Sequence, residues 1–117
     1  MTTKQVLEEA RGMISKRENW MAGALVNGKG QYCAVGAVGE ACNWSGCAPW
    51  SGCNPAIAAL ARHVDEDALP AVDPYYGPWR RRICSANRDN VLVVTHNNTM
   101  GHECVLKLFD ETIASFD

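Results

Sequence analysis

The chain has 117 residues, 47% of them hydrophobic and 21% charged, with a formal net charge of −2. That length fits one domain around one core, and the composition is that of a globular protein rather than a disordered one. The slight acidity argues against nucleic acid as a partner, and no apolar run approaches the roughly 20 residues of a membrane helix, so no membrane role is expected.

The opening residues, Met1-Thr2-Thr3-Lys4-Gln5, lack the apolar stretch of a secretion signal. A cytoplasmic location is therefore expected, where thiols stay reduced, and the even number of cysteines is not read as a disulfide framework. Residues 4–17 are predicted to form an amphipathic helix. Val6, Leu7, Ala10, Met13 and Ile14 share its apolar face, Thr2 or Thr3 caps its start, and Lys16 and Arg17 suit its negative end. Residues 21–32 read as a small hairpin turning at Asn27-Gly28. Residues 33–42 are a helix of small residues whose two glycines, Gly36 and Gly39, imply close packing.

A tandem hexapeptide follows, Trp44-Ser45-Gly46-Cys47-Ala48-Pro49 and then Trp50-Ser51-Gly52-Cys53-Asn54-Pro55. It makes residues 43–55 a loop rich in cysteine and tryptophan. Asn54-Pro55 starts a third helix, with Asn as N-cap and Pro in the first turn, and Ile57, Leu60, Ala61 and Val64 as its buried stripe. Residues 68–90 are a second loop, rich in Pro, Arg and aromatic residues. Val91 to Thr95 is β-branched and apolar and reads as a buried strand, ended by Asn97-Asn98-Thr99, which offer caps to the last helix. That helix, residues 100–116, places Cys104, Val105, Leu108, Phe109, Ile113 and Phe116 on one face. The fold expected is a mostly helical α+β domain spanning 1–117, with about four helices and a minor hairpin or sheet. The first and last helices pack together, with the small-residue helix between or beneath them.

Four constellations carry possible chemistry. Cys42, Cys47, Cys53 and His63 are the candidate metal ligands. Their spacing contains no Cys-x-x-Cys pair, so no metal and no cofactor is expected. Cys33 opens a helix whose dipole can lower a thiol's pKa, and His96 with Asn97 could complete a thiol-hydrolase set, although no local signature of a thiol enzyme is present. His102 and Glu103 lack the second histidine of a His-Glu-x-x-His site and read as a surface first turn. Trp44, Trp50, Tyr75, Tyr76, Trp79, Arg80, Arg81 and Arg82 are candidates for a partner-binding surface, because exposed aromatic and arginine side chains dominate interface energetics.

Three separated segments carry a family resemblance. They are Val6-Leu7-Glu8-Glu9-Ala10-Arg11 leading to Trp20-x-x-Gly23-Ala24, then Tyr32-Cys33-Ala34-Val35-Gly36-Ala37, and Asn97-Asn98 followed by Val105-Leu106-Lys107-Leu108-Phe109-Asp110. The chain resembles an uncharacterised family of small proteins from actinobacteria and their phages, mycobacteriophages above all. That family usually shows Trp-Asn-Asp where His96-Asn97-Asn98 stands here. The resemblance implies a phage-encoded accessory protein acting in the cytoplasm of a bacterial host, and it supplies no catalytic residues. The expected function is non-enzymatic binding of a host bacterial protein, with a homodimer left open. The alternatives are a thiol-dependent hydrolase using Cys33 and His96, or a small zinc module.

Overall fold

A computed structural model describes residues 2–43 and 54–117. Helix α1 runs from Thr3 to Met13, α2 from Ala34 to Ala41, α3 from Pro55 to Arg62, α4 from Trp79 to Arg82, α5 from Arg88 to Met100 and α6 from His102 to Ala114. Among the described residues, 3₁₀ turns at Arg17–Asn19 and Glu66–Ala68 punctuate the connections. Strands β1 (Val72–Asp73) and β2 (Gly77–Pro78) form one antiparallel ribbon, with Val72 opposite Pro78 and Asp73 opposite Gly77. With 59% of the described residues helical, this is a small α+β domain dominated by helices.

Local chemistry sets the helix starts. Thr2 and Gln5 form a reciprocal capping box on α1, the Gln5 amide reaching Thr2 Oγ1 at 3.1 Å and the Thr2 amide reaching Gln5 Oε1 at 2.8 Å. Asn54 Oδ1 accepts from the Ala56 and Ile57 amides at 2.9 and 3.2 Å, and Pro55 occupies the first turn of α3. The apolar stripes close over one core containing Leu7, Ala10, Ile14, Val38, Ile57, Leu60, Leu92, Val105 and Phe109. As expected, α1 packs on α6, and α2 lies against α1 and α5. Arg11 grips Asp110 across the α1–α6 seam, with Nε 2.6 Å from Oδ1, and Lys4 pairs with Asp117.

Several expectations are corrected. Helix α1 ends at Met13, with Ile14 as its C-cap, so Lys16 and Arg17 lie beyond its end. Residues 91–95 are not a strand; they are the interior of α5. Val91, Leu92, Val93, Thr95 and Asn97 are all buried because α5 touches α2, α3, α4 and α6. A helix enclosed by neighbours needs no polar face, and its apolar run then looks like that of a buried strand. Asn97-Asn98-Thr99 therefore sit inside α5, and Gly101 at φ 90° separates it from α6.

The 21–32 segment is not a regular hairpin. It makes single bridges from Tyr32 to Trp20 and to Val26, and its turn is organised by Asn27 Oδ1 accepting from the Lys29 and Gln31 amides. The 68–90 segment, expected as loop, holds the β1–β2 ribbon and α4. Phe116 is 42% exposed rather than part of the α6 stripe.

Candidate functional site: an aromatic and arginine face built on an asparagine pair

Asn97 and Asn98 are adjacent on the central helix and point into a polar network. Asn97 Oδ1 accepts from Trp20 Nε1 at 2.7 Å and from the Ala34 amide at 3.0 Å, and Asn97 Nδ2 donates to the Met21 carbonyl at 3.1 Å. The Ala34 amide belongs to the first turn of α2, whose N–H groups have no partner within the helix. Asn97 thus caps α2 from a different helix while fixing the indole of Trp20. Asn98 Oδ1 accepts from the Gly23 amide at 2.9 Å, and Asn98 Nδ2 donates to Asp73 Oδ2 at 3.0 Å. The other Asp73 oxygen accepts from the Tyr75 amide at 2.8 Å, which shapes the ribbon's turn. Asp73 and Asn97 are each only 1% exposed. Buried polar groups satisfied this fully specify one arrangement of the chain.

The network presents the ribbon. The ring of Tyr75 lies over Gly23, where a Cβ would meet its carbons at 2.6 Å, and Tyr76 Oη donates to the Gly23 carbonyl at 2.8 Å. Both rings remain open to solvent, Tyr75 57% and Tyr76 47% exposed, beside exposed Val72. Arg82 stacks on Tyr76 at 4.9 Å from the ring centre, and Arg80 stacks on Trp79 at 4.3 Å. Of the aromatic residues expected at the surface, Trp79 is corrected. It is 1% exposed, a core plug whose Nε1 donates to the Pro70 carbonyl at 2.9 Å. Trp44 and Trp50 lie outside the described residues, as do the thiols Cys47 and Cys53.

The thiol and histidine candidates fall in different places. Cys33 is buried at the N-cap of α2, its sulfur accepting from the Gly36 amide at 3.3 Å. Burial pushes its pKa up, outweighing those amide hydrogen bonds, so the expected activation by the helix start is not seen. Successive helix residues point about 100° apart. Asn97 therefore faces the Cys33 end of α2, while His96 faces a cleft of about 160 Å³ shared with His63, Cys104 and Glu111. Cys33 does not line that cleft. Asn97, sought as a helper of catalysis, is a structural clamp.

His63 caps the C-terminus of α3 and lines the cleft, away from Cys42, whose Sγ donates to the Gly39 carbonyl at 3.4 Å. Among the described residues no group of three or more His, Cys, Asp and Glu side chains is placed to hold a metal ion. No helix among them is long and apolar enough to cross a membrane. His102, expected on the surface, is half-buried, with Nε2 2.6 Å from the Ile14 carbonyl and its ring 5.5 Å from that of Trp20.

His96 has a pH consequence. Its Nδ1 is buried without a hydrogen-bond partner among the described residues, and burial pushes its pKa below the ordinary 6.5, with Glu111 pulling the other way. His63, Asp65, Cys104, Lys107 and Glu111 are the charged and titratable groups that share its cleft. The unfolded chain takes up a proton as pH falls through 6.5 while the folded chain resists it, so stability declines with acidification through and below that pH. Urea midpoints measured between pH 8 and pH 5 are expected to fall, and to fall less in His96→Gln. An equal fall in both would remove His96 as the cause.

Trp20, Gly23, Cys33, Ala34 and Asn97-Asn98 all fall in the separated segments that carry the family resemblance. These segments meet in the network just described. Asp73 was missed; its only signal was its place before Pro74 and the two tyrosines. No curated protein and no solved structure matches the chain significantly. A family model described as a family of unknown function (DUF6197) matches residues 1–115, and the chain belongs to that family.

Proposed function

We propose that this protein is a non-enzymatic accessory protein that binds another protein through the face formed by Val72, Tyr75, Tyr76 and the arginines of α4. The partner is a bacterial host protein in the setting that the resemblance to actinobacterial and mycobacteriophage proteins implies. The observation that carries this reading is that two tyrosine rings are about half exposed yet held in place. Gly23 supports one ring and hydrogen-bonds the other, and Asn98 and Asp73 fix the ribbon that bears both. Exposed aromatic rings that are already ordered lose little entropy on binding and supply large contact area, which is the profile of an interface anchor.

The test is crosslinking in bacterial cells followed by identification of the captured protein, for wild type and for Tyr75→Ala and Tyr76→Ala. Each truncation is expected to lower capture about tenfold or more, the loss of one anchor residue. Undiminished capture by folded variants would reject this face.

A further inference from the structure

Of the chain's eleven Lys and Arg side chains, four are in ion pairs among the described residues; Lys16, Arg17, Lys29 and Arg62 stand unpaired there at separate places, and three unpaired arginines stand together on α4. Lys4, Arg11, Arg88 and Lys107 each have a carboxylate within reach, at Asp117, Asp110, Glu66 and Glu111. Arg80, Arg81 and Arg82, consecutive on α4, make no ion pair among the described residues. Two of the three are nonetheless ordered by stacking, Arg80 on Trp79 and Arg82 on Tyr76. The Nη1 of Arg82 is buried with no hydrogen-bond acceptor among the described residues, and the chain around it is pinned by Asn87 Nδ2 donating to the Arg82 carbonyl at 2.9 Å.

That buried Nη1 is closed to a partner, so a docking carboxylate would reach Arg82 through the other N–H groups of its guanidinium. A guanidinium placed over a ring is held in position by it, and its fork of N–H groups matches the two oxygens of a carboxylate. We infer that the partner docks on this face through an acidic segment, with one Asp or Glu carboxylate received by Arg82 beside Tyr76 and further carboxylates met by Arg80 and Arg81. This rests on the docking reading above and adds the partner's chemistry. A protein segment is favoured over nucleic acid because the chain, with a net charge of −2, lacks the excess of Lys and Arg typical of nucleic-acid binders, and because exposed Val72, Tyr75 and Tyr76 beside the arginines suit a protein contact.

The experiment is a titration of the isotope-labelled full chain followed by NMR. The probes are the blocked peptides hexaglutamate and hexaglutamine and the oligonucleotide dT12. Hexaglutamate is expected to shift the Arg82 side-chain N–H signal and the Tyr76 ring signals, weakening as salt rises from 20 to 300 mM, while hexaglutamine shifts neither. Arg82→Gln is expected to weaken binding about tenfold or more, the loss of a charge-assisted pair. Arg62→Gln, a cation on another helix, should change nothing. Because Arg82 is half-buried, the double variant Arg80→Gln/Arg81→Gln, at exposed positions, gives a second reading and should also weaken binding.

Equal responses to the two peptides, an equal loss in Arg62→Gln, or tighter binding of dT12 than of hexaglutamate would each overturn the inference. Cellular capture separates its failure from that of the docking reading. Capture lost in Tyr75→Ala but intact in Arg82→Gln and in the double variant leaves the docking face standing and removes the acidic partner. Capture intact in the tyrosine and arginine variants alike removes both.

Discussion

Gly36→Ala is expected to be among the most damaging single substitutions in the chain. A Cβ at this position would lie 1.8 Å from the Leu25 carbonyl oxygen and 2.6 Å from its carbon, and both are backbone atoms that cannot rotate aside. The same carbonyl accepts the Cys33 amide at 3.0 Å, so the contact is where the 20–33 segment is laid against the first turn of α2. Relief requires that segment to move outward, carrying Met21 and Gly23 off the asparagine pair. Overpacking against rigid neighbours costs 1–3 kcal/mol and at times more, and here about 3 kcal/mol or more is expected. The melting temperature should drop by roughly 10 °C or more. Gly12→Ala is the control. Gly12 lies in α1 with nothing within 4 Å of an added Cβ, so alanine there should be neutral or stabilising by up to about 1 kcal/mol. Equal behaviour of the two variants in thermal melts would refute the close approach.

Asn97→Leu is the second large effect. Leucine matches asparagine in size but removes the acceptor for Trp20 Nε1 and for the Ala34 amide, and the donor to the Met21 carbonyl. Orphaning a buried polar group costs about 1–3 kcal/mol, so losing two donors and one acceptor partner is expected to cost about 3–5 kcal/mol in all. Asn97→Asp keeps the acceptor oxygens, loses the donor and brings a carboxylate into a site 1% exposed, so it too should destabilise. Chemical denaturation gives the energies, and the near-ultraviolet circular dichroism of Trp20 reports the geometry. An Asn97→Leu protein with wild-type stability and an unchanged tryptophan signal would show that the network holds nothing together.

These two positions also show what could be read from the chain before folding. Capping and amphipathicity are local, so the Thr2 and Gln5 box, the Asn54-Pro55 start and the Leu108 and Phe109 stripe were legible. Helix α5 was not, because its Val91–Val93 run is buried on nearly every side and loses the periodicity that distinguishes helix from strand. Asn97 and Asn98 imitated caps because asparagine is poor in helix interiors. They stand there because their side chains bond across the fold, over separations of 25 to 77 positions, which local propensity does not encode. Trp79, set among arginines, looked exposed for the same reason; its burial depends on the Pro70 carbonyl and the helices beneath it. Gly36 was legible as a sign of close packing, although its neighbour is the Leu25 carbonyl and not another helix.

The functional account divides labour within the fold. The asparagine network supports the ribbon, and on the proposed docking reading the ribbon with its arginines would meet the partner. The direct test is a photoreactive amino acid placed either at Tyr75 or at Glu9, an exposed position on α1, in protein expressed in bacterial cells. The account predicts a discrete adduct from position 75, weakened by Arg82→Gln, and none from position 9. An adduct from position 9 with nothing from position 75 would contradict it.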